Sequence, residues 1–204
     1  MKAARSSMSI LLIPVLLLCQ GCSNSSPEQR AYVRSLMELR TQKDQLLQTP
    51  EGPLTEVQRS RFKGLSYYPP NFELRFEVAL QEAAVADTVQ FPTSRNSFDP
   101  YVRRGTFRFS VDGRDQELTL FAALHGGHLF LPFADRTSGH ETYGAGRYLD
   151  PELLPNGRYR LDFNHAYSPY CAYNAKWICP LPPPENKLDV AIEAGERNFP
   201  LEGH

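Results

Sequence analysis

Asp162 and Asn164 stand two residues apart in the run Arg158-Tyr159-Arg160-Leu161-Asp162-Phe163-Asn164. On a strand, that spacing puts a carboxylate and an amide on one side and Tyr159, Leu161 and Phe163 on the other. A carboxylate turned inward must find a partner, because burying it unpaired is costly. Arg147 offers one, since its planar guanidinium matches a carboxylate with two parallel N–H bonds. The chain reaches Arg147 through Thr142-Tyr143-Gly144-Ala145-Gly146, where glycines permit close approach of the backbone. Tyr167, Tyr170 and Tyr173 follow Asn164, and tyrosine supplies the mix of apolar area and hydroxyl that lines sites for small polar molecules. The chemistry expected is capture of a small polar or anionic ligand. Arg147 would be its anion partner, Asp162 and Asn164 would orient it, and Tyr167 and Tyr170 would be walls. The competing use of the same residues is an ordinary solvent-facing strand side.

A second polar group comprises Asp135, Thr137, Ser138, His140 and Glu141. Asp135 and Glu141 suit general acid–base work only if their environments differ. The run Asp135-Arg136-Thr137-Ser138-Gly139 also reads as a turn in which Asp135 accepts backbone N–H bonds. His125-Gly126-Gly127-His128 has two imidazoles but no third ligand at a standard spacing, and Cys171 and Cys179 lie further apart than in a zinc knuckle, so no metal is expected. No serine elbow, phosphate loop or dinucleotide fingerprint occurs, and no motif names a cofactor.

The segments that must hold these side chains begin with one that does not belong to the fold. Residues 1–21 carry Lys2 and Arg5 ahead of the apolar run from Ile10 to Leu18, which is too short to span a bilayer and suits a signal-peptide core. Leu18-Cys19-Gln20-Gly21-Cys22 resembles a bacterial lipoprotein box with Cys22 as the lipidated first residue, and residues 22–26 read as a tether. Ser23 in place of an aspartate favours the outer of two membranes. The expected localisation is therefore the cell envelope, on the periplasmic face, with a lipid anchor as the membrane partner. That leaves Cys171 and Cys179 as an even pair in an oxidising compartment, and a disulfide is the first reading.

Residues 27–204 suit one domain with its own core. Removing Lys2 and Arg5 takes the formal net charge from −1 to −3, and no basic patch supports nucleic-acid binding. Residues 27–66 read as helical: Tyr32, Leu36, Leu39, Leu46 and Leu47 recur at helical spacing, with Arg40, Lys43 and Asp44 as the solvated face. Thr55 and Gln58 signal a capping box. From residue 71 to 200 the period falls to two. Strands are expected at 72–78, 88–91, 105–111, 116–121, 128–133, 158–164 and 188–194, with Asp112-Gly113 as a hairpin turn. The fold class is α+β, with N-terminal helices packed on a mainly antiparallel β-sandwich or partly open β-barrel.

Several words of the sequence resemble one family, the bacterial and archaeal domain of unknown function 1684. They are Phe133-Ala134-Asp135-Arg136-Thr137-Ser138-Gly139, Glu141-Thr142-Tyr143, Gly146-Arg147-Tyr148-Leu149-Asp150, Asp162-Phe163-Asn164-His165-Ala166-Tyr167, Pro169-Tyr170-Cys171-Ala172-Tyr173 and the run from Cys179 through Pro184 to Asn186. The resemblance implies no particular activity. It also implies relatives without an export signal, in which the cysteine pair would remain thiols. The leading expectation is an envelope lipoprotein that binds a small ligand through the 133–186 loops. The rivals are a hydrolase-like enzyme using Glu141 or Asp135 as general base, and a structural envelope protein with no ligand.

Overall fold

Nine strands and two α-helices make up the regular part of the computed structural model, which describes residues 25–85, 87–124 and 126–201. The expected signal peptide and Cys22 lie outside the described residues. No helix among the described residues is long and apolar enough to cross a membrane.

Helix α1 (Pro27–Leu47) starts where local chemistry asks it to. Ser26 accepts from the Gln29 N–H, the Gln29 side chain accepts from the Ser26 N–H, and Pro27 sits in the first turn. Helix α2 (Glu56–Arg61) repeats the device with Thr55 and Gln58, as expected. The inward stripe of α1 departs from the sequence reading. Leu36 and Leu47 are buried, each worth about 1.5–3 kcal/mol, but Leu39 and Leu46 are exposed. Arg40 and Lys43 fall between Leu36 and Leu47 at helical spacing, so these two, expected in solvent, face the body of the protein. Tyr32 Oη donates to Asp162 at 3.0 Å, Arg40 Nη1 to the Tyr68 carbonyl at 3.1 Å, and Lys43 Nζ lies 2.6 Å from Glu196.

The strands are β1 (Arg75–Val78), β2 (Leu80–Glu82), β3 (Thr88–Pro92), β4 (Phe98–Val111), β5 (Arg114–Ala123), β6 (Leu129–Phe133), β7 (Arg147–Leu149), β8 (Glu152–Leu153) and β9 (Tyr159–Asp162). All pairings between them are antiparallel. One sheet has the order β1-β9-β8; the other runs β2-β4-β5-β6-β7 with β3 also on β4. The β4–β5 hairpin turns at Asp112 and Gly113, whose φ values of 50° and 72° are those the Asp-Gly signal requires. Leu74, Val78, Leu161 and Phe163 from around the smaller sheet share one core with Phe107, Leu118, Leu131 and Phe133 from the larger.

Three expected strands are altered. The one expected at 158–164 ends as β9 at Asp162, and Phe163–His165 form a 3-10 turn that carries Asn164. Residues 72–74 form a 3-10 turn ahead of β1, capped by the Asn71 side chain. Residues 188–194 show the expected alternation, with Leu188, Val190, Ile192 and Ala194 buried, yet they form no ladder. Their backbone is served differently: Leu188 N donates to the Ala134 carbonyl, Arg136 N donates to the Val190 carbonyl, and one side chain takes the Ile192 and Ala194 carbonyls.

Candidate functional site

That side chain is Arg147. It leaves β7 with no exposed surface and donates to the carbonyls of Ile192 at 2.8 Å, Ala194 at 2.5 Å and Glu196 at 3.1 Å, and to Asp135 Oδ2 at 2.7 Å. Asp135 Oδ1 accepts from the Thr137 N–H at 2.6 Å and from its hydroxyl at 2.5 Å. The backbone bends tightly to admit this packing: Gly146 has φ +92°, and a Cβ there would lie 2.5 Å from the Phe133 carbonyl oxygen. The assembly is a buried polar latch, in which Arg147 Nε has no partner among the described residues. Arg147 therefore does not meet Asp162, and it has no surface to offer a ligand. Asp135 likewise cannot reach a substrate as a general base. Glu141, the other acid–base candidate, sits exposed in an ion pair with Arg197 at 3.1 Å.

Asp162 finds other partners. Its Oδ2 accepts from Arg75 Nε at 2.8 Å; its Oδ1 accepts from Tyr32 Oη and from the backbone and side-chain N–H groups of Asn164. The Asn164 amide in turn pairs with the backbone of Asn71, accepting from its N–H and donating to its carbonyl, both at 2.7 Å. Asn186 does the same to Thr119 and also donates to the Pro132 carbonyl at 2.7 Å. Both asparagines thus imitate a peptide unit of a neighbouring strand. The Pro-rich run before Asn186 serves to place it.

Two cavities open along α1. The larger, about 230 Å³, is lined by Arg40, Lys43, Tyr67, Asn164, Tyr167 and Glu196 among others. The smaller, about 160 Å³, is lined by Tyr32, Arg75, Arg160 and Asp162. Leu36, Asp150 and His165 belong to both walls, so the two form one groove. Of the expected ligand residues, Asp162, Asn164 and Tyr167 meet here; Tyr170 does not, and packs on Trp177 with ring centroids 5.1 Å apart.

The electrostatics of the larger cavity are uneven. Glu196 exposes no side-chain surface; it accepts from Lys43 at 2.6 Å, from Ser168 N at 3.2 Å and from the Tyr173 hydroxyl. Lys43 also lies 4.9 Å from the centre of the Tyr167 ring. Arg40 has no such match. Its Nη1 is held by the Tyr68 carbonyl, while Nε and Nη2 are buried with no partner among the described residues, as is the Tyr67 hydroxyl. Orphaned donors cost about 1–3 kcal/mol each. The Tyr67 ring centre lies 4.3 Å from the Arg40 guanidinium carbon. Burial, and then the charges of Glu196 and Asp44, push the Tyr67 hydroxyl well above the usual tyrosine range.

Sequence reading missed Arg40, Lys43, Tyr67 and Glu196. The signal for the first two was present in the eleven-residue interval from Leu36 to Leu47, because the positions between them at helical spacing are Arg40 and Lys43. Nothing local marks Tyr67, and Glu196 is marked only by the family-like word Ala194-Gly195-Glu196, which gives it no role.

Cys171 and Cys179 come together as free thiols, not as the expected disulfide. Both are buried, and Cys171 N donates to Cys179 Sγ at 3.3 Å. A hydrogen bond from Cys179, helped by one from Tyr143, brings the Cys171 thiol down to about 6; the same contact with Cys171 and then burial push Cys179 up. Among the described residues no group of histidine, cysteine and carboxylate side chains is placed to hold a metal ion.

A family described as "Protein of unknown function (DUF1684)" has a model that matches residues 60–197. That span contains the Asp135–Arg147–Glu196 latch and begins after α1. An uncharacterised protein of Haloarcula marismortui, solved by solution NMR, is 34% identical, with 83% of this chain and 96% of that chain covered and a TM-score of 0.63. No curated protein matches the chain.

Proposed function

The chain belongs to the DUF1684 family, and on that premise we propose that it is a lipid-anchored envelope protein whose domain holds a small polar or anionic ligand in the groove beneath α1. The observation that carries this reading is the unpaired donor set at the cavity wall, Arg40 Nε and Nη2 with the Tyr67 hydroxyl. Unpaired buried donors also occur at Arg147 and Arg197, but Arg40 and Tyr67 line a cavity, where something else can supply the acceptor. In this reading α1 lies across a sandwich-like β body as one wall of the site. Asn164, Tyr167 and Glu196 form the other, and Lys43 of α1 pairs with Glu196 across the groove. Signal cleavage ahead of Cys22 and lipidation of that residue would tether the domain, from residue 27 on, to the membrane; nucleic acid is not a partner. Arg147, expected to bind the ligand directly, and Asp135, expected as a candidate general base, instead fix the loops that frame it.

The test is native mass spectrometry on the full chain carrying Cys22→Ser, which escapes lipidation. Extra mass that disappears on denaturation is the expected result. A bare chain that also gains no thermal stability from any small anion sinks the ligand reading and leaves a latch-built envelope protein.

A further inference from the structure

The Arg40 guanidinium decides which anion suits the groove. Nη1 is spent on the Tyr68 carbonyl. Nε and Nη2, the two without partners, share one edge of the planar fork, and their N–H bonds run parallel along it. That edge is the one that takes two oxygens of a single oxyanion side by side.

Charge matching narrows the class. Among the charged side chains lining the larger cavity, Lys43 is neutralised by Glu196, and Asp150, also on the wall, adds a negative charge. Arg40 is the cation left without a carboxylate. Arg40 and Lys43 against Asp150 and Glu196 leave the wall without net charge, so a singly charged anion is disfavoured less than a doubly charged phosphate. The remaining wall supplies the apolar side chains of Leu36, Leu39 and Ala166. The volume of about 230 Å³ holds a small organic molecule and not a polymer.

We infer that the groove takes a small organic monocarboxylate with an apolar body, its carboxylate paired side-on with Arg40 and its body against Leu36, Leu39 and Ala166; this rests on the ligand reading above. The donor edge is closed to water in this conformation, so a carboxylate reaches it only when Arg40 turns away from the Tyr67 ring toward the cavity that both line. Tyr67 is then free to add its hydroxyl to the same carboxylate.

The experiment titrates sodium hexanoate and, separately, sodium phosphate into the full chain carrying Cys22→Ser, by calorimetry and by NMR of arginine Nε–H groups. Hexanoate is expected to bind and to move one arginine Nε–H resonance strongly, the one absent from the Arg40→Lys variant. That variant keeps the charge but lacks the parallel N–H pair, and should weaken hexanoate at least tenfold. Unchanged affinity in Arg40→Lys overturns the assignment. If that variant does not fold, the parent spectrum decides: saturation with hexanoate that moves no Nε–H resonance overturns it as well. Binding of phosphate without hexanoate refutes the monocarboxylate but keeps the broader ligand reading. Binding of neither, with no co-purified mass, removes both.

Discussion

Arg147 Nη2 lies 2.7 Å from Asp135 Oδ2, and neither side chain exposes any surface. A buried pair of this kind is strongly destabilising to break from one side, because the remaining charge is left without compensation. Arg147→Ala also strands the carbonyls of Ile192, Ala194 and Glu196. Loss of about 3–5 kcal/mol is expected, read from the urea midpoint at unchanged slope. Asp135→Ala should cost a similar amount. Arg147→Lys should not rescue, since an ammonium cannot reach all four acceptors in one plane.

Asn186 stands in for a strand at the centre of the larger sheet. Replacing it with alanine leaves the Thr119 N–H and the Thr119 and Pro132 carbonyls without their partner in a site closed to water. More than about 2 kcal/mol of stability should be lost. Asn186→Asp should fare no better, because it turns an oxygen toward two carbonyls. The amide exchange of Thr119 is the local readout, and it should accelerate well beyond that of its neighbours in β5.

Alkali should unfold the protein as its buried tyrosines are forced to ionise. Tyr32, Tyr67, Tyr148, Tyr167 and Tyr173 are all raised above the usual tyrosine value, burial being the largest cause in each. Below about pH 10 both folded and unfolded chains keep these protons, and the tyrosines make no pH-dependent difference. Above it the unfolded chain loses protons that the folded chain retains, so stability falls as pH rises. Each tyrosine contributes at most about 1.4 kcal/mol per pH unit. Tyrosinate absorbance should therefore appear cooperatively with loss of near-ultraviolet circular dichroism. Gradual ionisation in a folded chain would contradict this.

The two thiols should behave unequally. With the Cys171 thiol near 6 and Cys179 pushed upward, iodoacetamide should label Cys171 first, at a rate that holds as pH falls toward 6 and drops below it. In an oxidising compartment the same neighbours are placed to join. Closing so short a loop would add about 2–3 kcal/mol. After exposure of the folded chain to an oxidant, a denatured mass lower by two hydrogens, and not in Cys171→Ser, is the expected observation.

Much of the frame was legible in the sequence, for local reasons. Thr55 with Gln58, Asp112 with Gly113 and the alternation of Phe107, Phe109 and Val111 each act within a few residues. The resemblance to the family was likewise legible, and the matched span supports it. The site was less so. Asp162, Asn164 and Tyr167 do line the groove, but the pairing of Arg147 with Asp162 failed because a nearer carboxylate, Asp135, and three carbonyls claim the guanidinium first. The alternation at residues 188–194 reported burial correctly and pairing wrongly, since periodicity records which side faces the core and not what satisfies the backbone. Lys43 meeting Glu196 is a contact over most of the chain's length, and no local pattern announces it.

The placement of the latch acceptors also sets an order of events. Arg147 and Asp135 are made well before Ile192, Ala194 and Glu196, the residues that complete their bonding. Until the C-terminal segment emerges from the ribosome, the guanidinium has too few acceptors to be buried, and the core around Phe133 and Phe163 cannot seal over it. Folding is thereby deferred to the end of synthesis, when the whole chain is at hand. A chain truncated just before Ile192 should remain open and sensitive to protease, however much of its sheet it already carries.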